Sequence, residues 1–235
     1  MKKLAAFVEG QTEQIFVQKL LEEAAGKKRI GIESRRAYGG QTGQRTFRIL
    51  HATTLGSEQK FYAQIIDCGT DSRVKSDVVD NYNGLVLTGF QTIFAIRDVY
   101  PSFAFDGIST LRAGLRFGVK TKPAEVQFIL GIMEIETWFI SEYTHFQKLH
   151  ASLTPDYIKT NLGIDPCNDD IQLRPHPAED LDNIYRLVGR SYSKNKNQVQ
   201  EIVELLDYER LYFELPNRIP DLKVLVDTID KFLSV

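Results

Sequence analysis

"KLAAFVEGQTEQIFVQKLLEEAAG", residues 3–26, is the stretch from which the fold class is read. KLAAFV is a short apolar run of strand type. After Glu9 and Gly10 the period changes, and Phe16, Val17, Leu20, Leu21 and Ala24 fall on one face of a helix. Thr12 is the expected N-cap and Gly26 the expected stop. A strand that turns within a few residues into an amphipathic helix is the opening of a βαβ unit. The turn carries two acids, Glu9 and Glu13, where strand gives way to helix.

Downstream the alternation continues. A polar, glycine-containing segment, YGGQTGQRTFRIL (38–50), precedes the strand run FYAQIID (61–67) and a helix over 73–88. A second strand, QTIFAIRD (91–98), leads to a helix over about 105–118. A third, VQFILGIM (126–133), runs into EIETWFISE (134–142), where Ile135, Trp138 and Phe139 have helical spacing. Strands separated by helices imply right-handed crossovers and a mainly parallel α/β sheet flanked by helices. After about residue 145 the texture changes. LTPDYI, GIDPCNDD and RPHPAED are turn-rich, and AEDLDNIYRLVG, NQVQEIVELLD and PDLKVLVDTIDKFL read as amphipathic helices. The organisation expected is an α/β domain over 1–145 and a helical C-terminal extension over 146–235, packed on the sheet.

Composition narrows the function classes. The chain has 235 residues, 43% hydrophobic, with a formal net charge of −2, so nucleic-acid contact requires a local basic patch rather than a whole-molecule field. Cys68 and Cys167 lack CxxC spacing, and the four histidines form no HxxxH pair, a pattern that argues against zinc and for a reduced, cytoplasmic chain. MKKLAAFVEG begins like an export signal, but its apolar run stops at Glu9, and no later segment has the roughly 20 apolar residues of a membrane span.

The chemistry gathers at strand ends. Ligands of open parallel sheets collect outside the carboxyl ends of the strands. There the sequence sets Glu9 with Glu13, then Asp98, then Glu134 and Glu136. Clustered carboxylates repel, a cost removed by protonation, by basic partners or by a hard divalent cation. Mg²⁺ or Mn²⁺ is the economical choice and suits phosphoryl chemistry. Each acid also has a structural use. Glu13 complements a helix N-terminus, worth about 0.3–1 kcal/mol, Asp98 suits the turn before Pro101, and one of Glu134 and Glu136 fits an acidic first turn.

Four segments carry a family resemblance. FVEGQTE (7–13) resembles the glutamate motif of Toprim domains in the VEGxTE form of the overcoming-lysogenization-defect type nucleases. FAIRD (94–98) is similar to the strand bearing the Toprim acidic motif, MEIETWFISE (133–142) to an E-x-E-x-W segment, and HPAEDLDNIYRLVGRSYSK (176–194) to a downstream HP…Y-x-K segment. Together they resemble the Toprim-like domain-of-unknown-function 4276 family over most of the chain. The resemblance implies a Toprim-like fold and a Mg²⁺- or Mn²⁺-dependent nuclease role, discussed with phage defence and partner ATPases. Glu9 is then ligand or general acid/base with Glu13 supporting it, Asp98 with Glu134 or Glu136 completes the metal site, and Lys194, two residues after Tyr192, stabilises a phosphate electrostatically. One departure stands out. The family's Asp-x-Asp reads Asp98-Val99-Tyr100 here, so a carboxylate is missing. The alternative is therefore a catalytically inactive binding module for a partner ATPase or nucleic acid.

Two further features bear on phosphates. YGGQTGQRT fails the Walker pattern, which requires glycine at Tyr38 and lysine at Gln44, and reads as a loop with Arg45 and Arg48 beside it. Arg112, Arg116 and Lys120 recur every four residues on the expected helix, which puts cations on one face, either as an ordinary solvated helix face or as contacts to a nucleic-acid backbone.

Overall fold

The computed structural model describes residues 1–26, 28–40, 45–54, 56 and 59–234. Elements follow in the order β1 (Lys2–Val8), α1 (Gln11–Ala25), β2 (Ile30–Tyr38), β3 (Thr46–Ala52), β4 (Phe61–Asp67), α2 (Asp71–Leu87), β5 (Thr92–Asp98), α3 (Ile108–Arg116) and β6 (Glu125–Gly131). Helices α4 (Glu136–Ser141), α5 (Thr144–Leu149), α6 (Pro155–Leu162), α7 (Pro177–Arg186), α8 (Lys196–Leu205) and α9 (Pro220–Leu233) complete the chain. It divides into two compact units, one of Met1–Arg97, Gly107–Ile129 and Val224–Val235, the other of Asp98–Asp106 and Leu130–Lys223. These boundaries do not coincide with the break expected at residue 145.

The first unit is built on a six-stranded sheet of order β3-β2-β4-β1-β5-β6. β1 pairs in parallel with β4 and β5, and β2 in parallel with β4. Only β3 is antiparallel, in a hairpin with β2. Glu125 N donates to Gln91 O at the start of β6, and Val99 N to Gly131 O just past its end, so β5 and β6 are parallel too. The α/β class with a mainly parallel sheet is thus as the sequence implies. From β1 through α1 to β2 the chain moves one way along the sheet, and from β4 through α2 to β5 the other. Right-handed crossovers then put α1 and α2 on opposite faces. Phe16, Val17, Leu20 and Leu21 of α1 are fully buried, and α1 packs on β1, β2 and β4. The C-terminal part of α9 closes this unit, with the Phe232 ring edge-on to Phe61 at 5.4 Å between centroids.

Three local expectations change. The N-cap of α1 is Gly10, not Thr12, which is buried inside the helix. Glu13 explains the shift, because its Oε2 accepts the Gly10 N–H at 2.9 Å and so holds the turn from within the first helical turn. The segment read as a polar loop contains β3, preceded by an unforeseen β2, while Gln41–Gln44 lie outside the described residues. Arg45, expected beside a loop, is anchored. It forms a bidentate pair with buried Asp77 (2.9 and 2.5 Å) and donates to the Cys68 and Gly39 carbonyls. That pairing raises its pKa.

The second unit is helical apart from the strand ends it receives. LTPDYI and RPHPAED, which read as turns, contain helix starts. Thr154 caps α6 by accepting from Tyr157 N, with Pro155 next in line, and Pro177 opens α7. Both cysteines are free thiols, Cys68 buried and Cys167 half-buried. Among the described residues no helix is long and apolar enough to cross a membrane.

Candidate functional site

The second unit gathers four of the expected site residues. β5 ends at Asp98, and the backbone beyond it stays tied to the segment after β6, with Val99 N donating to Gly131 O (3.1 Å) and Tyr100 N to Met133 O (2.8 Å). A Cβ on Gly131 would lie 2.3 Å from Asp98 Oδ1 and 2.9 Å from Ile135 N. Glycine is therefore required for the Asp98 carboxylate to settle over this strand end. Two residues on, Met133 adopts φ 60°, a left-handed conformation costly for a side-chain-bearing residue, and the chain turns into α4. That turn delivers Glu134 and Glu136.

Lys194 arrives from the other side of the sequence. Tyr192 N donates to Asp182 Oδ1 at 2.8 Å, and Asn195 caps α8 by accepting from Gln198 N at 3.1 Å. Between these anchors Lys194 takes φ 57°, the second left-handed non-glycine residue among those described. Its Nζ lies 3.0 Å from Glu134 Oε1 and 3.1 Å from Glu136 Oε2. Tyr192 OH donates to Glu136 Oε1 at 2.6 Å, and Glu134 Oε2 accepts the Ala178 N–H at 2.9 Å, capping the N-terminus of α7. Asp98, Glu134 and Glu136 are all buried, Glu136 completely. Burial works against the ammonium, but Glu136, then Asp98 and Glu134, more than offset it and raise the Lys194 pKa. The lysine is charged throughout the neutral range.

The donor chemistry of this cluster suits a hard divalent cation, since it is all carboxylate oxygen. The arrangement does not. Glu134 and Glu136 turn their oxygens to Lys194, Tyr192 and the α7 backbone, and among the described residues no group of three acidic, histidine or cysteine side chains is placed to hold an ion. Tyr100 lies past the end of β5, and its ring stands edge-on to His176 at 5.0 Å.

The other expected site residues belong to the first unit. Glu9 and Glu13 belong to the first unit, where Glu13 is buried and spends one oxygen on Gly10. Arg112 and Arg116 ride on α3 as expected. Lys120 does not, because α3 ends at Arg116, and it donates instead to Asn83 Oδ1 at 3.2 Å. Lys75 of α2 stops the helix there by donating to the Gly114 and Phe117 carbonyls. A helical spacing of four therefore does not align the three cations.

Sequence reasoning missed Gly131 and the Ala178 amide. The first left a trace, a glycine closing an otherwise bulky strand. A backbone donor leaves none. Comparison with protein-family models, with curated proteins and with solved structures returns no match for this chain.

Proposed function

We propose that this chain is a Toprim-like binding module whose acidic centre is neutralised from within and which does not itself cleave phosphodiesters. The observation that carries this reading is the position of Lys194, bridging Glu134 and Glu136 at 3.0 and 3.1 Å. Two buried carboxylates share this one ammonium, so the group they form carries a net negative charge and repels a phosphate unless another cation joins it. The basic face that would hold a nucleic acid is also reduced to Arg112 and Arg116. Both points favour a protein partner over a nucleic acid, and the ATPase suggested by the family resemblance is the candidate. A cytoplasmic setting and a role in phage defence belong to the same proposal.

A nuclease reading has one observation in its favour. Left-handed backbone at Met133 and Lys194, and a glycine cleared for Asp98, put local strain at one point, as active centres do. That reading requires Lys194 to yield Glu134 and Glu136 to Mg²⁺ or Mn²⁺.

Incubation of the protein with supercoiled plasmid and with single-stranded DNA in Mn²⁺ separates the two. The binding module leaves both substrates intact. Cleavage that disappears in Asp98→Asn would overturn it in favour of the nuclease.

A further inference from the structure

The six-stranded sheet has one closed edge and one open edge. β6 is largely buried, and its Leu130 N–H is accepted by Asp221 Oδ1 at 2.9 Å. β3, at the other end of the sheet, keeps six of its seven residues exposed, with only Phe47 half-buried. The geometry points to the β3 edge as the place where this chain takes its protein partner, and to an extended segment of that partner, alternating acidic and apolar side chains, as the occupant. The inference rests on the binding-module reading and adds the surface and the kind of segment it fits.

An edge strand presents N–H and C=O groups that a further strand can complete, and proteins that avoid such pairing place lysine, proline or a cover there. TFRILHA has neither lysine nor proline. Its one irregularity, a register shift at Leu50, leaves the pairing with β2 regular from Thr46 to Ile49. Side chains alternate between the two faces of a strand. On one face Arg48 stands directly opposite Arg36 of β2, a like-charge pairing that disfavours the hairpin by itself. Asp67 answers Arg36 at 3.4 Å, while among the described residues Arg48 has no acidic partner. On the other face lie Phe47 and the half-exposed Ile49. Residues 30–52 hold four arginines, Arg35, Arg36, Arg45 and Arg48, against a single acid, Glu33, in a chain whose net charge is −2. A strand that sets a carboxylate beside Arg48 and an aliphatic side chain beside Ile49 therefore complements both faces. A second copy of β3 brings arginine and no acid, and a nucleic acid offers the edge no amide ladder.

The probe is a fluorescein-labelled peptide of about eight residues alternating glutamate and valine, with a lysine and valine peptide as its opposite. Binding is read by fluorescence anisotropy on the whole chain without added metal. The glutamate peptide is expected to bind saturably, at least about tenfold more tightly than the lysine peptide, and to slow amide hydrogen exchange in β3. Arg48→Glu, which sets an acid opposite Arg36 and so favours the hairpin, is expected to lose the preference for glutamate. No saturable binding, equal affinity for the two peptides, a preference unmoved by Arg48→Glu, or binding that leaves β3 exchange unchanged overturns the surface and leaves the binding module standing. A dimer in sedimentation equilibrium whose β3 amides are protected without peptide assigns the edge to a second copy. Single-stranded DNA that binds where the glutamate peptide does not, and is lost in Arg48→Glu, assigns it to nucleic acid, and either result overturns the proposal. Plasmid cleavage abolished by Asp98→Asn, by contrast, removes the binding-module reading itself and this partner site with it.

Discussion

Gly131 and Tyr192 show how single residues set the acid and lysine cluster. In Gly131→Ala the added methyl meets the Asp98 carboxylate at 2.3 Å and the Ile135 amide at 2.9 Å, so the strand end has to shift. Overpacking of this kind costs about 1–3 kcal/mol, to be read as a lower urea midpoint. Tyr192→Phe removes the 2.6 Å hydrogen bond to a fully buried carboxylate and is expected to cost about 1.5–3 kcal/mol, the range for bonds to charged groups. Lys194→Met leaves Glu134 and Glu136 without their cation. Losing one partner of a buried pair costs about 3–5 kcal/mol, and partial exposure of the lysine side chain screens this to about 2–3. The pH dependence follows from the raised Lys194 pKa. A group whose pKa is raised on folding contributes fully below its unfolded value, about 10.4 for lysine, and the contribution is lost only as pH climbs through the folded value. The stability difference between wild type and Lys194→Met is therefore expected to be constant from about pH 7 to about pH 10. A difference that closes within that window would refute the assignment.

At the level of elements, buried ion pairs tie segments that the sequence keeps apart. Arg45 precedes β3 and its guanidinium closes on Asp77 of α2, which is almost completely buried. Arg45→Ala strands that carboxylate, and a loss of about 3–5 kcal/mol is expected in chemical denaturation. Likewise Glu134→Ala removes the N-terminal cap of α7, worth about 1–2 kcal/mol, with faster amide exchange expected in its first turn. Sequence legibility divides along the same line. β1, α1, β4, α2, β5 and β6 were readable because both sheet faces around them are covered, which makes their strands continuous apolar runs. β2 and β3 were not. IGIESRRAY carries Glu33, Arg35 and Arg36, and β3 is an exposed edge strand with Ile49 and Leu50 about half accessible, so neither shows an apolar run. Of the site, the strand-end acids were visible from position and Lys194 from resemblance. That Lys194 meets Glu134 and Glu136 depends on contacts across roughly 60 residues of sequence, beyond the reach of any local pattern.

For the molecule as a whole, the last dozen residues weigh more than their number suggests. Leu225, Val226, Ile229, Phe232 and Leu233 are buried, and all belong to the unit that begins at Met1. Each side chain of this kind contributes about 1.5–3 kcal/mol, so removing 224–235 takes away an amount comparable to the net stability of a typical domain. The truncated chain is expected to lose its near-ultraviolet circular dichroism, and a cooperative thermal transition in it would show that this unit stands without α9.

That division of α9 also bears on how the protein is made. The ribosome delivers residues 1–97 first, yet the unit they belong to receives its closing segment only after Lys223, with most of the other unit synthesised in between. At about 5–20 residues per second the interval is on the order of ten seconds. During that time the nascent β1, β4 and Phe61, the ring that Phe232 later meets, await their cover. A chain arranged in this way is expected to fold in lower yield when the chaperones that meet it at the ribosome are depleted, to be read as the soluble fraction after expression.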